Sequence, residues 1–153
     1  MNFLLLAACQ SRRHIIHNLI TTPIPTSADL FQVADLCTAF ATELVESKDV
    51  TQRLALSGRL SYALTALRLL CDADLPAHLK EQLTVDELPA PCVPDCWIDS
   101  WLLVEYAQSL TPALLSCALP YTVTVHLTGL LHDLVILMAD YLKQPYLERE
   151  TAD

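Results

Sequence analysis

The run RRHIIH gathers Arg12, Arg13, His14 and His17 within six residues. A guanidinium stabilises negative charge that develops in a transition state, and an imidazole moves a proton near neutral pH. Arg12 would take the first role and His17 that of general acid or base. His14 and His17, at i and i+3, share a helical face and would alternatively offer two metal ligands. The simpler reading is a solvated polar end to an apolar helix, since Arg and His are ordinary surface types. Cys92 and Cys96 form a second pair within the Pro-rich stretch VDELPAPCVPDC. His78 is the only histidine near them in sequence, short of the four ligands of a structural zinc site, so two free thiols and no metal are expected. His126 and Asp133 share a helical face with Thr122, Gly129 and Asp140. A His–Asp contact there would tune a base, whereas the exposed side of a buried helix has the same pattern.

Arg12 and His17 together spell R-x4-H, which resembles the signature of HEPN-type ribonucleases, themselves small all-α domains. The resemblance covers six residues. It implies RNA cleavage by paired Arg and His side chains that meet across a dimer. In that family the motif generally lies towards the end of the domain and a polar residue commonly follows the arginine. Here the motif lies near the start.

Composition excludes more than it identifies. Only two glycines are present, Gly58 and Gly129, so no glycine-rich phosphate loop or dinucleotide fingerprint can be built, and no G-x-S-x-G elbow exists. No cofactor is expected. Net charge is −9, and between Lys80 and Lys143 there is no Lys or Arg but eight acids. Nucleic-acid binding depends on cations that neutralise phosphates, so direct binding is not expected. An acidic surface suits a basic protein partner, or a mimic of nucleic acid that blocks a DNA-binding enzyme. Trp97 and Trp101, four residues apart, would share a helical face beside Asp95, Asp99 and Glu105, and indoles are frequent interface anchors. Core packing is the competing role for both.

The elements that must position these groups read as helices throughout. Residues 3–20 form the first. TTPIPTS breaks the chain, with Thr26 or Ser27 capping a second helix whose stripe is Leu30, Val33, Leu36/Cys37, Phe40 and Leu44. Asp49 and Gln52 look like a capping box for a third helix, where Gly58 and Ser61 suggest a close helix-to-helix approach. Asp74-Leu-Pro76 opens a short helix to about Leu83. Asp95 would cap a helix over 97–110, Thr111-Pro112 would start another, and Pro120 would begin the longest and most buried one. A short strand at 121–125 is the alternative there. That last stretch is interrupted by His126, His132, Asp133 and Asp140, which favours a core helix over a membrane span.

The opening LLAAC invites a lipoprotein reading, yet no cation precedes an apolar run of only six residues. Six cysteines without an export signal indicate free thiols in a reducing cytoplasm, and Cys37, Cys71 and Cys117 sit in apolar helical patterns. The expectation is one all-α domain over 1–153, a bundle of five to seven helices. A Pro-rich loop at about 85–95 would separate two helical halves. A hydrophobic fraction of 53% suggests a homodimer. The function expected is a non-enzymatic adaptor, inhibitor or chaperone-like regulator that binds a basic protein.

Overall fold

The computed structural model describes the backbone of residues 3–150 and the side chains of 10–99 and 101–150. It is an all-α bundle of six helices. They are α1 (Phe3–Thr21), α2 (Leu30–Glu46), α3 (Val50–Asp72), α4 (Ala77–Leu83), α5 (Ser100–Leu115) and α6 (Tyr121–Lys143). A single 3-10 turn, Asp95–Trp97, precedes α5. The only pairing of strands among the described residues joins β1 (Thr84–Val85) in parallel to β2 (Leu147–Glu148), tying the chain after α6 to the end of α4.

Helix starts follow side-chain chemistry, though not always at the expected residue. Neither Thr26 nor Ser27 caps α2. Asp29 does, accepting the Gln32 N–H at 2.9 Å while the Gln32 amide oxygen accepts the Asp29 N–H at 3.0 Å. That reciprocal pair is the complete capping box. Asp49 caps α3 through the Gln52 N–H at 2.8 Å, but the Gln52 side chain turns to Ser47 Oγ, so the expected box is half formed. Asp95 lies in the 3-10 turn, and Asp99, without a side-chain cap bond, occupies the N-cap position of α5.

Pro120 opens the last helix as expected, and one expected break, at Thr111-Pro112, does not occur. Residues 121–125 are helical, because Pro120 supplies a preset φ at the helix entry and β-branched residues on an exposed first turn cost little. Thr111-Pro112 does not start a helix; α5 runs through it to Leu115. Pro112 has no N–H for the Gln108 carbonyl four residues back. The Thr111 hydroxyl donates to that carbonyl instead, at 2.9 Å.

Helices α2, α3, α5 and α6 neighbour one another in a closed ring in that order, while α1 lies more lightly against α2 and α3. Neighbours in the ring run antiparallel. The starts of α2 and α5 meet the ends of α3 and α6 at one end of the bundle, and the reverse holds at the other. The core draws on all four: Phe40 and Leu44, Leu60 and Leu64, Leu103 and Ala107, Leu131 and Met138. Each fully buried leucine contributes roughly 2 kcal/mol of transfer free energy. Helix α6 is long and apolar enough to cross a membrane, and it is not the most buried helix as expected. Its second half feeds the core, while Tyr121, Val123, Val125 and Leu130 are exposed.

Gly58 does not mark a close approach; a Cβ built there would meet nothing within 4 Å. Cys37 is buried and Cys71 half-buried, as their patterns suggest, but Cys117 is exposed. It follows the Ser116 C-cap of α5 with φ of 53°, the left-handed position that glycine usually fills. The side chains of residues 3–8 and the Cys9 thiol lie outside the described residues.

Candidate functional site

At the end of the bundle where α3 and α6 finish, a pocket of about 440 Å³ opens. Its volume falls within the range of small-ligand and side-chain pockets. Leu70 and Leu75 form one wall, Leu88 and Pro91 of the Pro-rich loop a second, and Ile98 and Leu142 a third. Among the described residues no charged side chain lines it. Gln144 holds the loop in place as a surrogate backbone, its amide donating to the Ala90 carbonyl at 2.6 Å and accepting the Cys92 N–H at 2.8 Å.

The polar atoms of this pocket are unsuited to nucleophilic chemistry. Burial pushes the Cys71 thiol up to about 11, so it stays protonated. Burial likewise raises Tyr141 and Tyr146, with the charges of Cys92 and Asp99 adding to the effect on Tyr141. Both hydroxyls remain donors. That of Tyr141 already donates to the Ile98 carbonyl, fixing the approach to α5.

The rim beyond Ile98 is acidic and aromatic. The Arg68 guanidinium lies 5.7 Å from the centroid of Trp101, with Nη1 2.6 Å from Asp72 and Nε 3.5 Å from Glu105. The hydrogen bond that Arg68 donates to Asp72 leads the effects that raise the Arg68 pKa, which keeps it charged. One arginine thus serves two carboxylates and one indole, while Asp95 and Asp99 add two more negative charges beside Ile98. Ile98 is 49% and Trp101 41% exposed, large apolar surfaces within a charged surround.

Of the residues expected here, Trp101 and Glu105 come together around Arg68, while Asp99 follows Ile98 at the N-cap of α5 and Asp95 lies in the adjoining turn. Trp97 does not join Trp101 on one helical face. It falls in the 3-10 turn ahead of the helix, half-buried against the core. Arg68 is a member of the rim outside the sequence expectation, although its i,i+4 spacing to Asp72 is a readable signal. The pocket itself has no local signal, because its walls come from four separated stretches of chain.

The other candidate groups lie elsewhere. Arg12 reaches Glu43 and Glu46 at 3.4 Å each, so two carboxylates offset its charge. His17 is exposed on α1, and five helical positions set it about 140° around the axis from Arg12. Asp133 pairs with neighbouring His132 at 2.9 Å and not with His126. His78 bonds the Asp29 carboxylate at 2.9 Å. Among the described residues no three His, Cys, Asp or Glu side chains converge as metal ligands would.

Fold and site together describe an up-and-down helical bundle with an uncharged pocket opening onto an acidic, aromatic rim. No protein-family model matches the chain, and no curated protein or solved structure shows significant similarity to it.

Proposed function

We propose that this protein is a non-enzymatic interaction module that recognises a basic protein segment at the end of the bundle. A large apolar side chain of the partner fills the pocket beside Ile98, and flanking Lys or Arg residues meet Asp72, Asp95, Asp99 and Glu105. The observation that carries the reading is the juxtaposition of a charge-free pocket with exposed Trp101 and four carboxylates, only two of which, Asp72 and Glu105, are paired with Arg68. An apolar anchor supplies most of the affinity of such a contact, and the acidic rim supplies selectivity and speed of association. Free thiols suit a reducing cytoplasm as its setting.

Nothing specific favours the two alternatives. The Arg12 guanidinium is engaged by carboxylates that would repel an RNA phosphate. The rim interleaves acids with Arg68, Trp101 and Ile98, unlike the uniform anionic array of a nucleic-acid mimic.

Selection of a random peptide library on the immobilised protein tests the reading. Enriched peptides should carry one large apolar residue flanked by Lys or Arg, and lose affinity for an Ile98→Asp variant and for Asp99→Asn/Glu105→Gln. Enrichment without basic residues, or binding indifferent to both variants, would overturn it. Light scattering on the same samples tests the expected homodimer.

A further inference from the structure

The opposite end of the bundle holds a second pocket, of about 290 Å³, with the reverse chemistry. Lys48 and Arg53 line it, and no acid does. Eighteen acids face nine bases in this chain, yet neither cation has a carboxylate within ion-pair distance among the described residues. Asp49, between them in sequence with Val50, spends its carboxylate on the α3 cap. Arg53 is held in place: its Nη2 donates at 3.1 Å to Thr128 Oγ1, which in turn donates to the Thr124 carbonyl at 2.7 Å. The remaining guanidinium N–H groups are left for a ligand.

Ser57, one helical turn beyond Arg53, lines the same pocket and is 3% exposed. Its hydroxyl forms none of the side-chain hydrogen bonds found among the described residues. Lining the pocket, that hydroxyl is free to bond a ligand there. Two 23-residue helices also begin here, α3 at Val50 and α6 at Tyr121, and no side chain caps α6. Their unpaired first-turn N–H groups can meet an anion locally, although the ends of α2 and α5 at the same end of the bundle offset the dipoles. The remaining walls, Leu54, Leu114 and Leu119, are apolar.

We propose that this pocket binds a small organic anion, a carboxylate or phosphate head on an apolar body. Lys48 and Arg53 hold the head, Ser57 contributes a hydrogen bond, and the leucines cover the body. The volume equals that of about ten water molecules, which sets the size of the ligand. The proposal is independent of the peptide-binding reading, since it uses other residues at the other end of the molecule.

The test is a titration of the full chain followed by amide chemical shifts, with four probes: hydrocinnamate, its neutral amide, phenyl phosphate and inorganic phosphate. Hydrocinnamate or phenyl phosphate should move the signals of the first turns of α3 and α6, and the tighter of the two identifies the head group. The neutral amide should bind roughly tenfold more weakly, as expected from the loss of charge-assisted hydrogen bonds. Inorganic phosphate, lacking the apolar body, should also bind more weakly than phenyl phosphate. Lys48→Gln, on the surface, and Arg53→Gln should each lower affinity by about the same factor, with helicity checked by circular dichroism. Equal binding of acid and amide, affinity unchanged by Lys48→Gln, phosphate alone matching phenyl phosphate, or no response to any probe would each overturn the proposal.

Discussion

The sharpest test of the fold concerns the proline inside α5. Pro112 deprives the Gln108 carbonyl of its helical donor, and the Thr111 hydroxyl replaces it at 2.9 Å from a side chain that is fully buried. Thr111→Val keeps the shape and removes the donor. The loss of one hydrogen bond, with a part-buried carbonyl left unpaired, should cost about 1–2 kcal/mol. For a chain of this length that lowers Tm by roughly 2–8 °C. Pro112→Ala restores a backbone N–H directed at the same carbonyl. In that background Thr111→Val should therefore be nearly silent, giving a coupling of about 1 kcal/mol in a double-mutant cycle measured by urea unfolding. If Thr111→Val costs the same in both backgrounds, the hydroxyl is not substituting for the missing N–H, and another interaction must hold α5 together through the proline.

Three further outcomes follow from particular residues. Gly58→Ala, where a Cβ meets open space, should stabilise by about 0.5–1 kcal/mol in thermal or urea melts, and Cys117→Gly, relieving a left-handed cysteine, by about 1 kcal/mol. A loss in either variant would contradict the helix-interior or C-cap geometry. The Asp29 carboxyl is held below its ordinary value, chiefly by the hydrogen bond from His78 and secondarily by the Gln32 N–H, against a desolvation effect. Its contribution to stability is thus complete above 3.8 and lost as pH falls through the lower folded value. Asp29→Ala should cost about 1 kcal/mol near neutrality through loss of the cap. That deficit should shrink as the medium is acidified; a pH-independent deficit would refute the role of the charge. Finally, burial pushes the Cys37 thiol up to about 12 and Cys71 to about 11, while Cys92, Cys96 and Cys117 are exposed. Iodoacetamide should label the exposed three in the native protein and reach Cys37 only after unfolding, as peptide mass mapping would show.

What the sequence reveals divides by the range of the interaction. The stripe Leu30, Val33, Cys37, Phe40 and Leu44 identifies α2 because helical period is a local property, and scarcity of glycine together with abundant proline points to helices throughout. The cap of α2 is ambiguous in sequence because Thr26, Ser27 and Asp29 all suit an N-cap; only the reciprocal bond with Gln32 chooses among them. Pro112 reads as a break because propensity carries no knowledge of a hydroxyl placed to replace the lost donor. Trp97 and Trp101 show the four-residue spacing of a helical face, yet that spacing has meaning only inside a helix, and α5 begins at Ser100. Both pockets depend on tertiary assembly. Their walls come from opposite ends of the same helices, so no window of sequence contains either one.

The polarity of the bundle is carried by side chains. In the ring of α2, α3, α5 and α6 each helix runs against its neighbours, so the macrodipoles largely cancel. Arg53 and Asp72 nonetheless stand nineteen residues apart on α3, roughly 28 Å along its axis. The first faces a pocket without acids, the second a rim with four. Charge held in exposed side chains is screened within about 10 Å at moderate salt, so each end acts on its own ligand without reaching the other. Association of a basic segment with the acidic rim should therefore slow as salt is raised, while anion binding beside Arg53, partly buried and fixed by Thr128, should weaken less. Equal salt dependence at the two ends would mean that the Arg53 pocket is as open to solvent as the rim.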